Sequence, residues 1–371
     1  MNKRKFLFIT ILMILFVFII FVGTKLIFFE GDNFGKSNIK PLTQEEIEES
    51  KHQVLVVPTM KDAIGENSAW CATFQLVWND MQDNLVGGDV KFEEPNQLAD
   101  NLNLQSFKEK DISEEYYYKK WGLMTLDLKE EIENGIEQKF GEKSDILDKF
   151  DWEDRGERYF FYAMLKRNFE FTNEFEILEN SNFKDIENVQ YFGIEDSENT
   201  VLRNQVYVLY YKNEKDFAVK LYTKSNDEII LAMKDDGANF EEIYNNVLRK
   251  TEKFNGETEF GKLDTLKIPN LNIDLLREYE ELVGKTFLLK DGTRGEIEKA
   301  LQSIQMELNN KGGSIKSEAG ISVTKSAIVF DTAEPRNFSF DNDFVIFLKE
   351  ASKELPYFAA SISDINLFVQ K

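Results

Sequence analysis

One cysteine, Cys71, and one histidine, His52, are all that this 371-residue chain holds of either. A lone cysteine excludes an internal disulfide. A lone histidine leaves Ser–His–Asp or Cys–His catalysis, and any histidine-rich metal site, dependent on His52 alone. His52 lies in a charged stretch ahead of an expected strand and reads as an exposed structural residue. Cys71 lies in an apolar pattern at helical spacing and reads as a buried small hydrophobe. The chain also lacks a phosphate loop, a Gly-x-Gly-x-x-Gly fingerprint, a zinc ligand set and a Gly-x-Ser-x-Gly elbow. No cofactor and no enzymatic activity are therefore expected. Positive charge is short as well: 45 Lys and Arg against 67 Asp and Glu give a net charge of −22. That balance argues against nucleic acid or an anionic lipid surface as a partner. Asp341 and Asp343 form a fragment of a calcium loop without its remaining ligands, and they read as a solvated turn, as does Asp235-Asp236-Gly237.

What the chain has is apolar bulk: 42% hydrophobic residues and 32 phenylalanines, enough to fill the core of one large domain. At the start, Lys3-Arg4-Lys5 precedes an apolar run from Phe6 to Gly23. As a helix at ~1.5 Å per residue the run spans about 27 Å, close to the hydrocarbon thickness of a bilayer. The basic flank favours keeping that end in the cytoplasm. Residues 1–29 are thus expected to be an uncleaved signal anchor, with the C-terminal part outside the cytoplasm. The competing reading, a cleaved signal peptide and a secreted product, has only Val22 and Thr24 as a weak cleavage option. Residues 30–51 are polar and charged, with a capping-box pattern at Thr43 and Glu46, and read as a stalk. Within 52–371 there is no repeat, low-complexity tract or Pro/Gly linker, so one ectodomain is expected.

Local patterns divide that ectodomain. Val54–Val57 predicts a strand. Trp70, Phe74, Val77, Trp78, Met81 and Leu85 recur at helical spacing, which predicts a helix from Asn67 or Ser68 to a stop at Gly87-Gly88. A second helix is expected from Ser113, carrying Tyr116, Tyr117, Tyr118 and Trp121. A third is expected from Leu126 to Phe140, with Gly141 as its end. From Tyr159 onward strands dominate. Val206–Tyr211 is apolar on both faces, as a central buried strand would be. Phe217, Val219 and Leu221 alternate, and Glu228–Met233 follows after a charged turn, so these three runs predict a meander. Phe240–Leu248 and Ile273–Val283 read as amphipathic helices between strands. Strands and helices in this mixture make an α+β domain.

The stretch from Met306 to Phe347 carries the functional reading. Gly312 and Gly313 mark a hinge after an apolar strand, because glycine takes positive φ at little cost. Beyond them Gly313, Ile315, Ser317 and Ala319 are small or apolar, while Ser314, Lys316 and Glu318 are polar. Successive strand residues point to opposite faces. The segment can therefore enter a sheet with an uncharged inner face, where a buried charge would cost several kcal/mol.

The order of features from Tyr159 to Leu367 resembles the serpin family. Phe161–Leu165 through Phe175 and Phe183, Val206–Tyr211, Lys267–Ile273, Leu282-Val283-Gly284 with Phe287, Met306–Gly312, Phe340–Phe347 and Pro356–Ile362 follow one another as the family's motifs do. The helix expected at Trp70–Leu85 stands where serpins begin their first helices, with different residues. The resemblance implies large, mostly antiparallel sheets with surrounding helices. It also implies a reactive-centre loop after Gly312 that a serine or cysteine protease cleaves and that then inserts as a new strand. Gly312, Gly313, Ser314, Ile315, Ser317 and Ala319 would be its hinge. Counting forward from Gly312 puts the scissile bond at Lys325-Ser326, which would draw a trypsin-like protease; counting back from Phe344 puts it near Val329–Thr332. The resemblance equally admits a non-inhibitory binding or structural module. A monomer is expected in either case.

Overall fold

The computed structural model describes residues 54–153, 156–195, 199–234, 236–314 and 334–369. The candidate membrane segment 6–23, the stalk and His52 lie outside the described residues. Among the described residues no helix is long and apolar enough to cross a membrane.

The chain enters through β1 (Leu55–Val57) and β2 (Ser68–Cys71), then α1 (Thr73–Asp80), which a π turn at Met81–Val86 extends until Gly87 ends it at φ 76°. Next come α2 (Gln97–Asn103), β3 (Tyr117–Leu123), α3 (Leu126–Phe140), β4 (Tyr159–Leu165), β5 (Phe169–Glu170) and β6 (Glu176–Ile177). A hairpin of β7 (Ser181–Phe183) and β8 (Ile186–Val189) leads to β9 (Tyr191–Ile194) and the short α4 (Thr200–Arg203). The meander is β10 (Val206–Asn213), β11 (Asp216–Tyr222) and β12 (Asp227–Met233), followed by α5 (Phe240–Lys253). The remainder is β13 (Thr265–Pro269), β14 (Leu271–Glu278), the hairpin β15 (Thr286–Leu288) and β16 (Arg294–Glu296), β17 (Leu301–Asn309), β18 (Gly312–Ser314), β19 (Asn337–Ser339), β20 (Phe344–Glu350) and β21 (Pro356–Ile362).

A seven-stranded sheet runs β1-β2-β21-β20-β12-β11-β10 and holds the deepest part of the core. β20 and β21 are buried at every position, which explains why, apart from Lys349 and Glu350 at the end of β20, they run apolar without alternation. On one face α5 covers the sheet, with the rings of Phe240 and Tyr244 against Phe347. Elsewhere Phe183 and Phe340 pack on Phe344. One four-stranded sheet is ordered β19-β13-β9-β6, and a second β14-β17-β18-β5. β3 and β4 make a separate antiparallel pair beneath α3, whose Leu128, Ile132 and Ile136 cluster with Phe160 and Tyr162 of β4.

Three expected helices are strands in whole or part. Ser68–Cys71 is β2, fully buried and paired with both β1 and β21, and the helix begins only at Thr73. Cys71 is accordingly buried, but in a strand, and its burial raises the thiol pKa. The expected helix at Ser113 is a single 3₁₀ turn, Glu114–Tyr116. The aromatic run after it is β3, where Trp121 stacks on Phe161 across the ladder with ring centroids 5.7 Å apart. The expected helix at Ile273–Val283 is mostly β14: Leu271, Ile273 and Leu275 are buried, and the residues between them are half-buried, with a period of two. Val206–Tyr211 is β10, covered on both faces but last in its sheet rather than central. Among the described residues its outer edge meets Thr258 and Glu259.

Candidate functional site: a glycine hinge above a seam

The candidate hinge begins where β17 turns. Asn309 accepts from the Lys311 amide through its side chain (2.9 Å), and the carbonyls of Asn310 and Lys311 accept from the amides of Phe175 (2.8 Å) and Phe171 (2.9 Å). This fixes the turn to the far end of β5. The chain then reverses into β18, which pairs antiparallel with β17 (Leu308 opposite Gly313, Asn309 opposite Gly312) and also with β5 (Gly312 opposite Glu170, Gly313 opposite Phe169). Both glycines are demanded by close approach. A Cβ on Gly312, where φ is 137°, would lie 2.0 Å from the Phe169 carbonyl oxygen; one on Gly313 would lie 2.1 Å from that of Glu307 and 2.5 Å from the buried Phe169 ring.

Below β18 the sheet is split. β5 continues the run of β4, with the Lys166 amide donating to the Tyr116 carbonyl (2.9 Å) and so prolonging the β3–β4 ladder. On the other side β17 carries on from Glu307 back to Leu301, paired with β14. Among the described residues no strand pairs with the facing edges of β4 and of β17 at 301–306. The result is a seam with β18 at its head. Met306, Ile304 and Gln302 point inward from one wall. Phe169 and Arg167 point inward from the other, at two-residue spacing with the half-buried Leu165 and Ala163, which pack on the main core.

The chain returns at Arg336, whose guanidinium pairs with the buried Asp264 (Nη2 to Oδ2, 2.6 Å) and donates to the carbonyls of Glu257 (2.6 Å) and Glu259 (2.7 Å). Just beyond, β19 runs parallel to β13.

Of the candidate hinge residues, Gly312, Gly313 and Ser314 are β18. Ile315, Ser317, Ala319 and the candidate scissile pair Lys325 and Ser326 lie outside the described residues, as does Val329–Thr332. Asp341 and Asp343 each have a lysine partner, Lys267 and Lys184 respectively, and each accepts a serine hydroxyl at 2.7 Å, from Ser339 and Ser363. Sequence reasoning missed Phe169, Arg167 and Gln302 as parts of the seam. A signal for Arg167 was present: it interrupts the apolar inner series Ala163, Leu165, Phe169 with a charge that must find a buried partner.

No protein-family model and no curated protein matches the chain. Among solved structures it is similar to the serine protease inhibitor serpin-12 of Manduca sexta, at 11% identity and a TM-score of 0.46, over 87% of this chain and 97% of that one. It is similar to Serpin48 of the insect Tenebrio molitor at 11% identity and a TM-score of 0.44, over 82% and 93%. It is similar to human thyroxine-binding globulin complexed with thyroxine at 14% identity and a TM-score of 0.39, over 65% and 64%. The described residues themselves form an α+β fold of several sheets with surrounding helices.

Proposed function

We propose that this is a protease inhibitor that works by strand insertion: a protease cleaves the loop after Gly312, and the loop's first part then enters the seam between β17 and β4. The observation that carries the proposal is β18 itself, which already occupies the head of the seam between two strands with nothing but glycine able to fit. Continuing the β17–β18 register would set Ile315 opposite Met306, Ser317 opposite Ile304 and Ala319 opposite Gln302, all on the inward side, and would turn Lys316 and Glu318 outward. Insertion would supply ladder partners to two strand edges, and unpaired buried backbone groups are costly. The target is a serine or cysteine protease, trypsin-like for cleavage at Lys325-Ser326. The apolar run 6–23 would hold the protein in a membrane with the C-terminal domain outside the cytoplasm. Incubation with trypsin-like and subtilisin-like proteases, followed by denaturing electrophoresis, tests the reading. A covalent band that survives SDS supports it, and loop nicking without a complex contradicts it.

A second reading, a non-inhibitory binding module, draws on a cavity of about 490 Å³ between α5 and the seven-stranded sheet. Trp70, Phe107, Tyr244 and Leu355 give it apolar walls, with Lys349 and Glu241 also lining it. Cavities of this size suit small molecules. A ligand-dependent rise in thermal stability, abolished by filling the cavity with Asn245→Trp, would favour this second reading.

A further inference from the structure

We infer that the seam is propped open by two buried polar anchors, one for each wall, and that Gln302 and Arg167 are positioning residues for insertion; the inference rests on the insertion reading above. On the β17 wall, Gln302 is 3% exposed and has every amide group engaged. Its Nε2 donates to the Cys71 carbonyl and to Thr73 Oγ1, both at 2.9 Å, and its Oε1 accepts from the Tyr279 hydroxyl at 2.6 Å. Cys71 ends β2 and Thr73 opens α1, so the amide ties β17 to the layer beneath.

On the other wall, Arg167 is fully buried. Its Nε donates to Asp227 Oδ2 (3.2 Å), Nη2 lies 2.8 Å from Asp227 Oδ1, and Nη1 lies 2.6 Å from Glu350 Oε1. The guanidinium carbon is 3.6 Å from the centre of the Tyr116 ring. Asp227 and Glu350 are direct cross-strand partners in the β12–β20 ladder. Two carboxylates so placed repel each other, and Arg167 is the cation that makes the arrangement tolerable. The remaining oxygen sites are met by Ser225 Oγ (2.9 Å) and Tyr357 OH (3.1 Å) on Asp227, and by the amide (2.8 Å) and hydroxyl (2.6 Å) of Ser113 on Glu350.

A buried ion cluster of this kind is not required for stability, since apolar or neutral groups of equal volume often serve as well. What it supplies is direction. With β18 between them, β17 and β5 stand two ladder spacings apart, about 9.6 Å. Lower down, the two walls would gain hydrogen bonds by sliding together by one spacing, about 4.8 Å. Ile304, Met306 and Leu308, buried in the main core, already resist that slide by packing. The Gln302 hydrogen bonds and the Arg167 Nε–Asp227 hydrogen bond add a directional resistance that far smaller shifts would break.

The test compares thermal unfolding of the full chain before and after limited trypsin cleavage, with the cut mapped by mass spectrometry. The samples are wild type, Gln302→Leu and the combined Arg167→Met, Asp227→Asn, Glu350→Gln variant. The inference expects the triple variant to melt near wild type when intact and Gln302→Leu, which strands the buried Tyr279 hydroxyl, to melt lower; in both, half or more of the cleavage-induced rise in Tm is expected to be lost. A full rise in both variants overturns it and leaves the insertion reading standing, as does an equal drop of intact and cleaved forms, which a merely structural role would give. No rise in wild type overturns both together. Should the triple variant not fold, Glu350→Gln alone serves: it keeps the Arg167–Asp227 contact and is expected to give a partial loss, and a full rise there counts against the inference.

Discussion

A methyl group at Gly312 or Gly313 would meet backbone oxygen at 2.0 or 2.1 Å, and backbone cannot swing aside as a long side chain can. Gly312→Ala and Gly313→Ala are each expected to cost about 1–3 kcal/mol, with β18 leaving its place between β17 and β5. Hydrogen exchange checks this: amides of Glu307–Asn309 and of Phe169–Phe171 should exchange faster, while those of β20 and β21 do not. At the same scale, Tyr244 is pushed up to about 12 from its ordinary 10.0 by burial, with its hydroxyl donating to the Glu354 carbonyl at 3.1 Å. Its folded pKa lies above the unfolded one. The stability it contributes is therefore complete below pH 10 and is lost as the pH climbs towards 12. At ~1.36 kcal/mol per unit that loss is at most about 2–3 kcal/mol. Tyr244→Phe should flatten the decline of stability between pH 10 and 12, measured by urea unfolding at stepped pH; an unchanged slope would show that the phenol does not titrate there.

Elements add parity. If the loop inserts in the register that Gly313 and Leu308 set, position 317 faces the core and position 316 faces solvent. Ser317→Glu would bury a carboxylate without a partner, a cost of several kcal/mol, and is expected to abolish the stability gain on cleavage; Lys316→Glu is expected to leave it within error. Equal effects from the two would mean a different register. Parity was also what made the sequence legible. The meander of β10, β11 and β12 and helix α3 follow from spacing and turn residues, whereas β20 and β21, apolar without alternation, entered only through the resemblance in order. β2, β3 and β14 did not, because Trp70 with Phe74, Tyr117 with Trp121, and Ile273 with Leu276 satisfy a helical spacing over short windows as well as a strand's. Partners distant in the chain decided them: β21 for β2, β4 for β3, β17 for β14. The glycine pair was legible as a break in the strand run, because only glycine tolerates such contact. The Arg167–Asp227–Glu350 cluster was not, since its members meet only once the two sheets are stacked.

Across the whole molecule, the main core runs without a break from the seven-stranded sheet to the inward faces of β17 and β5. A strand added to the seam would therefore rest on a surface already packed and held apart, and its gain would register in global stability rather than locally. Joining Ile315, Ser317 and Ala319 to that core, with ladder bonds on both sides, is expected to add several kcal/mol, or on the order of 10 °C in Tm. The most direct measurement is thermal unfolding of the protein before and after a single cut in the loop at Lys325-Ser326. A rise on the order of 10 °C after the cut is what insertion predicts; a cleaved protein that melts at or below the temperature of the intact one would contradict it.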